Sequence, residues 1–345
     1  MIRVGIIGST GYAGIGIVSL FQRHPEAEIM WVTSESYAGK KISEVYPFLR
    51  GKTDLVCERL RVARQAKDVD LVFISTPSGV SMKLAPQFLD RGVRVIDVGS
   101  DYRFRKVADY KKWYGKKHTK PFWASRAIYG LPELYKRRIA SARLVSNPGC
   151  YATAGVLALA PLAKEKWIVG DPIIDAKSGV SGAGRSLTLA THFTEADSGV
   201  SAYSVTFHRH TGEMEQELSE LSGRKIRLAF TPHLIPMTRG ILATCYVRIR
   251  KPIPLPSIVA MYNAFYERAN FVRVQKGEGR PSTKSTFGTN LCDIHIYNDK
   301  HTGQLIIVST LDNLVKGAAG QAIQNMNIMF GMDERTGLEL PGFYP

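Results

Sequence analysis

Four cysteines in 345 residues are too few for a disulfide framework, and no pair is spaced CxxC. No apolar run approaches the roughly 20 residues that a membrane span requires. The opening MIRVGIIGSTGYAG lacks the charged, apolar and small-residue regions of a signal peptide. A reducing cytoplasm is therefore the expected compartment, with no membrane partner. Zinc-ligand spacing is absent too: His208 and His210 in HRH stand too far from other ligands, so no metal is expected. Acidic residues are also scarce, 30 against 46 lysines and arginines, for a formal net charge of +16. A solvated basic surface accounts for this most simply. An acidic partner or a nucleic acid would be the sharper reading. The densest basic stretch, KKWYGKKHTK from Lys111 to Lys120, has no nucleic-acid-binding signature around it, so nucleic acid is not the expected partner.

What is present alternates. IRVGII, EIMWVTS, DLVFISTP and RVIDVGSD read as strands, and Gly14–His24 and Gly79–Gly92 carry helical periodicity. Strands separated by helices at this spacing imply right-handed βαβ units and a parallel sheet. After Cys150 the pattern changes. One helix follows, which Pro161 is expected to kink or end. Then come PIIDAKS, KIRLAFTP, ILATCYVRIR, NLCDIHIYND and QLIIVSTLD, strands close enough in sequence for a mixed or antiparallel sheet. Helical patterns interrupt them at Thr211–Leu221 and Ser257–Ala269, and a last helix is expected from about Leu314 to Phe330. The fold class is α/β: a Rossmann-type dinucleotide-binding domain over residues 1–148, and an α+β catalytic and oligomerisation domain over 149–313. A C-terminal segment, 314–345, is expected to pack back on the first domain.

GIIGSTGYAG places glycines at 5, 8, 11 and 14, after a strand and at the opening of a helix. That is the setting of a dinucleotide turn, although the spacing is GxxGxxG and not GxGxxG. Gly11 would let the backbone approach a pyrophosphate, Gly14 would let helix pack on strand, and the helix N-terminus would face the phosphates. Gly8, Ser9, Thr10, Gly11, Tyr12 and Gly14 are the candidate cofactor residues of this turn. The second strand ends VTSES, with hydroxyls at Thr33, Ser34 and Ser36 where NAD enzymes usually carry an acid, although Glu35 lies between them. Ser34 and Ser36 therefore favour NADP (NADPH) over NAD.

Cys57, Cys245 and Cys292 sit in apolar strands, but Cys150 follows Asn-Pro-Gly and precedes a helical run. Unpaired N–H groups and the helix dipole there stabilise a thiolate. A nucleophilic thiolate beside a dinucleotide domain points to attack on an activated acyl group, followed by hydride reduction of the thioester. An accompanying acid or base would be His208, His210 or His233. The first two flank Arg209 just ahead of a helix.

SNPGCYAT, DAKSGVSGAGR, HRHTGEMEQEL, FTPHLIPMTRGILAT and LDNLVKGAAGQAIQNMN resemble the N-acetyl-γ-glutamyl-phosphate reductases of arginine biosynthesis, a family similar in fold to the aspartate-semialdehyde dehydrogenases. The likeness runs over nearly the whole chain. It implies reduction of N-acetyl-γ-glutamyl phosphate by NADPH to the 5-semialdehyde and phosphate, in a homodimer or homotetramer. By the resemblance Cys150 is the nucleophile and His210 or His208 its acid/base. Arg103 of GSDYRF would contact phosphate or carboxylate, with Asn147, Arg209 and Glu213 as further substrate-side candidates. Ser178, Gly179 and Gly182 match a loop near the nicotinamide, and a helix start at Asn313 matches the segment that caps the cofactor. The departures are small: GSDYRF for SADFR, CYATA for CYPTA and HRHTGE for HRHTPE.

Two other functions fit parts of this pattern. A lysine-pathway reductase would act on aminoadipyl phosphate attached to an acidic carrier protein, which the +16 charge would attract. A non-enzymatic dinucleotide- or nucleic-acid-binding protein could be built on the same fold.

Overall fold

The structure is a computed structural model that describes residues 1–275 and 279–343. The chain forms two compact units. One comprises Met1–Pro148 and Ala318–Glu339; the other comprises Gly149–Gly317 and the residues from Leu340.

The first unit is built on a parallel sheet of β1 (Ile2–Ile7), β2 (Ala27–Thr33), β3 (Cys57–Glu58), β4 (Leu71–Ile74), β5 (Arg94–Asp97), β6 (Ile128–Tyr129) and β7 (Leu144–Ser146). Its order is β3-β2-β1-β4-β5-β7-β6. β4 is buried throughout and β1 over its last four residues, as strands covered on both faces should be. The sheet reverses direction of growth at β1, between β2 and β4, which makes the carboxyl ends of β1 and β4 the topological switch point.

The second unit carries a mixed sheet of β8 (Ile168–Gly179), β9 (Ser201–Ala202), β10 (Ala229–Ile235), β11 (Ile241–Ile249), β12 (Val272–Val274), β13 (Cys292–Asp299) and β14 (Gln304–Leu311), in the order β12-β13-β14-β11-β8-β10-β9. Alternation sends Ile174, Ala176, Ala243, Cys245 and Val247 into the core, while Ile173 and Tyr246, partners in register, face outward. The helix Cys150–Lys164 is buried from Tyr151 to Ala163, the signature of a helix enclosed on all sides. Cys57, Cys245 and Cys292 are buried, and Cys150 is half-buried.

Three sequence expectations need correction. Pro161 does not end its helix, which runs on to Lys164. The carbonyl that a proline at 161 leaves without a helical donor, that of Leu157, accepts from the Tyr266 hydroxyl at 2.5 Å. The last helix is not continuous from Leu314: Val315–Ala319 is a π-helical turn, and the α-helix proper is Gly320–Met329. The C-terminal segment counted with the first unit is accordingly Ala318–Glu339, not 314–345. Val315 and Gly317 are tied to the second unit by donating their N–H groups to Asp312, and Phe343 returns there by donating to the Phe287 carbonyl. Residues 344–345 of that segment, and 276–278 of the expected second domain, lie outside the described residues. Among the described residues no helix is long and apolar enough to cross a membrane.

Candidate active site and dinucleotide turn

The glycine turn joins β1 to the helix Tyr12–Phe21. Gly8 has φ +77°, and a Cβ there would strike the Ser75 carbonyl at 2.1 Å, so only glycine fits. A Cβ on Gly14 would lie 2.3 Å from the Gly8 carbonyl; this glycine lets the helix pack on the turn. Gly11 is different. A Cβ there would meet only the Gly8 carbonyl, at 3.6 Å, so the space above its α-carbon is open. No side chain caps the helix N-terminus that Gly11 opens. An open cradle and an uncapped helix start suit a pyrophosphate. Tyr12 begins the helix and is half-buried.

The neighbouring hydroxyls divide by role. Ser9 is buried and donates from both its N–H and its Oγ to the Thr33 carbonyl, 3.0 Å each, tying the turn to β2. These bonds fix the shape of the turn. Thr10 Oγ1 and Ser34 Oγ are hydrogen-bonded at 2.8 Å at the end of β2, and Ser36 is exposed beyond them.

At the end of β5, Asp97 is fully buried and accepts from the N–H groups of Gly99, Asp101 and Tyr102. Burial, then the Asp101 charge, pushes its carboxyl up to about 7. Arg103 is buried close by and donates from Nε to the Asn147 carbonyl at 2.9 Å, three residues ahead of Cys150. Asn147 donates to the Ala318 carbonyl and accepts from Asn325. Both ends of its amide thus make hydrogen bonds inside the first unit.

In the second unit Cys150 is the first residue of its helix, with Gly149 as N-cap in extended conformation. The helix Arg209–Ser222 brings the partners. Glu213, buried, accepts from the Gly149 N–H at 3.0 Å, and its other oxygen stands 3.9 Å from His210 Nε2. A Cβ on Gly149 would sit 2.3 Å from His210 Nε2, so the imidazole lies directly over the turn that presents the thiol. A Cβ on Gly317 would sit 2.7 Å from Cys150 Cβ; the chain after β14 passes against the cysteine with no room for a side chain. Glu213 thus faces both the Gly149 turn and the His210 ring. Its signal was available: three residues after His210, it must share that helix face.

The two candidate histidines separate. His208 is the N-cap of its helix: Nδ1 accepts from the His210 N–H at 3.1 Å. Its ring is boxed by Tyr151, Tyr203, Phe230 and His210. Burial, then the Arg209 charge, depresses it to about 3, so it is neutral. Arg209 is exposed. The Tyr151 hydroxyl donates to the His233 carbonyl, and the Tyr203 hydroxyl donates to that of Tyr151. Burial raises both phenols, Tyr203 to about 12. His233 itself pairs with Asp175 at 3.2 Å on the second sheet.

The loop after β8 is drawn together by Asn313, whose Oδ1 accepts from the Gly240 N–H at 2.7 Å and whose Nδ2 donates to Ser181. Ser178 donates to the Gly179 carbonyl, and a Cβ on Gly182 would approach Ser178 Oγ at 3.0 Å. Asn313 does not cap a helix; Asp312 accepts from Leu314 and Val315 instead. Sequence reasoning missed Asp312 because either residue of an Asp-Asn pair can cap.

Residues 3–142 match the semialdehyde dehydrogenase NAD binding domain, and residues 150–313 the semialdehyde dehydrogenase dimerisation domain. N-acetyl-gamma-glutamyl-phosphate reductase from Desulforudis audaxviator is 49% identical over 349 residues, covering 100% of both chains. The chain belongs to the N-acetyl-gamma-glutamyl-phosphate reductase family. The Symbiobacterium thermophilum reductase is 50% identical over 339 residues, covering 98% of this chain and 97% of its own. Aspartate semialdehyde dehydrogenase II from Vibrio cholerae superposes with a TM-score of 0.73 at 20% identity, over 96% of this chain and 98% of that one. The reductase family thus shares its fold with the aspartate enzymes.

Proposed function

We propose that this reductase converts N-acetyl-γ-glutamyl phosphate to N-acetyl-glutamate 5-semialdehyde and phosphate with NADPH, a step of arginine biosynthesis, in the cytoplasm. The observation that carries the reading is Cys150 at a helix start, with the His210 ring against the preceding Gly149 and Glu213 bonded to the Gly149 N–H. Cys150 is the nucleophile. His210 takes the Sγ proton, and the thiolate, favoured by the helix start, attacks the acyl carbon. The C–O bond to phosphate breaks as the C–S bond forms, leaving a thioester. When bound, the reduced nicotinamide supplies the hydride that takes the thioester to the aldehyde oxidation level. Collapse then returns the electron pair to Cys150 Sγ and frees the semialdehyde. Glu213 holds the turn and the imidazole in place. His208, as cap and aromatic neighbour, positions His210 without itself exchanging protons.

Gly8, Gly11, Gly14 and the first turn at Tyr12 would hold the dinucleotide backbone. NADP over NAD is supported by the Thr10–Ser34 hydroxyl pair at the end of β2, although Glu35 follows Ser34 directly. Arg103 suits a phosphate or carboxylate, because its planar fork binds either bidentately. Association through the second unit is supported by its family description and by the outward Ile173 and Tyr246; a homodimer or homotetramer follows. The deciding assay is the reverse reaction, NADP⁺ reduction with N-acetylglutamate semialdehyde and phosphate, in wild type and Cys150→Ser. Phosphate-dependent turnover lost in the variant is expected; equal turnover would overturn the mechanism.

A further inference from the structure

The basic stretch Lys111–Lys120 plays no part in the chemistry above. It begins in the helix Val107–Tyr114, which Gly115 closes in the left-handed region at φ +66°. The chain then folds over the turn that follows β4. Lys112 is spent on the Trp113 ring, 4.7 Å away. Lys116 is used differently. Its Nζ donates to the Ser78 carbonyl at 3.0 Å, and its side chain crosses Gly79, where a Cβ would lie 3.8 Å from both Cδ and Nζ. The flanks are anchored: His118 packs edge-on against Tyr102 and Tyr110, and Thr119 donates to the Met82 sulfur. Asp101, beneath the turn, accepts from the Gly79 and Met82 N–H groups and from the Tyr110 hydroxyl. Among the described residues no carboxylate comes within 4.0 Å of the Lys116 ammonium to form an ion pair.

This turn borders the switch point. Ser75 donates to the Ile7 carbonyl at 2.9 Å, and the Ser75 carbonyl is the atom that forbids a side chain on Gly8. A cation held to a backbone carbonyl, with no ion-pair partner, at the lip of the crevice between β1 and β4 is placed for an anionic ligand. Lysine serves phosphates as a point charge. We propose that Lys116 is a phosphate-binding residue of the dinucleotide site, its ammonium taking a phosphate oxygen of the cofactor. This rests on the dinucleotide reading above and adds to it a residue remote in sequence from the glycine turn.

The test is a fluorescence titration of the full-length enzyme with NADPH, for wild type, Lys116→Met and Lys116→Arg, at low and high salt. It is followed by the KM for phosphate in the reverse reaction. Lys116 is exposed, so neither variant removes core packing. Lys116→Met is expected to weaken NADPH about tenfold and flatten the salt dependence, with Lys116→Arg close to wild type. A raised phosphate KM with unchanged NADPH affinity would give the ammonium to the reacting phosphate and overturn the cofactor assignment. No change in either would overturn the proposal. Failure of the wild type to bind NADPH would instead overturn the dinucleotide reading beneath it.

Discussion

The His210 imidazole lies against the Gly149 α-carbon, so close that a Cβ there would be 2.3 Å from Nε2. Gly149 is in ordinary extended conformation, φ −71° and ψ 145°. Its backbone does not require glycine; the histidine does. Gly149→Ala should therefore fold and push the His210 ring away from the turn that presents the thiol. A displacement of about 1 Å in a catalytic pair costs on the order of 100-fold in rate, and kcat should fall by at least that. Far-ultraviolet circular dichroism should be unchanged, and iodoacetamide should still alkylate Cys150. A kcat within twofold of wild type would remove His210 from the mechanism.

His208 gives a prediction in pH. It is buried and depressed to about 3, against an ordinary value near 6.5. Between those values the unfolded chain binds a proton that the folded chain refuses. The stability this group contributes is therefore complete above pH 6.5 and is lost as pH falls toward 3. His208→Asn keeps a capping acceptor and removes the titration. Urea unfolding at pH 7 and pH 4.5 should show wild type losing about 3 kcal/mol more than the variant, at about 1.4 kcal/mol per pH unit below 6.5. Equal losses would mean that His208 takes up its proton in the folded protein.

Two glycines of the first turn separate folding from binding. A Cβ at Gly14 collides with the Gly8 carbonyl at 2.3 Å, whereas one at Gly11 finds 3.6 Å. Gly14→Ala should cost about 1–3 kcal/mol of stability, as overpacking does. Gly11→Ala should leave the melting temperature within about 2 °C and weaken NADPH by tenfold or more, because its methyl fills the cradle the phosphates need. Thermal melts with NADPH titrations decide it. A Gly11→Ala variant that binds NADPH normally would show that the pyrophosphate does not approach there.

The candidate residues proposed to carry the chemistry were legible because their patterns are local. Cys150 stands out by following Asn-Pro-Gly at a helix start, and β1, the glycine turn and its helix follow from one decapeptide. What stayed hidden depends on long-range partners. The two-residue strands β3 and β6 and the three-residue β7 are too short for periodicity and exist only by pairing in the sheet. His208 and His210 share one motif. Only the helix start at Arg209 makes the first a cap and leaves the second over Gly149. The amide of Asn147 bonds to Ala318 and Asn325, more than 170 residues away in sequence, which no local pattern shows.

Pro161 misled for the same reason, and it offers a test of the second unit's core. A proline inside a helix leaves the carbonyl four residues earlier without its donor; here that is Leu157, which accepts from the Tyr266 hydroxyl at 2.5 Å. Tyr262 bonds the next carbonyl, Ala158, at 2.7 Å. Leu157 is on a wholly buried stretch of helix, so loss of the Tyr266 donor leaves its carbonyl stranded. Tyr266→Phe should cost about 1–3 kcal/mol. In a Pro161→Ala background the restored N–H can reach Leu157 along the helix, and the same change should cost about 1 kcal/mol less. Urea midpoints of the wild type, the two single variants and the double variant complete the cycle. A coupling energy of zero would mean that the tyrosine hydroxyl does not replace the bond the proline removes.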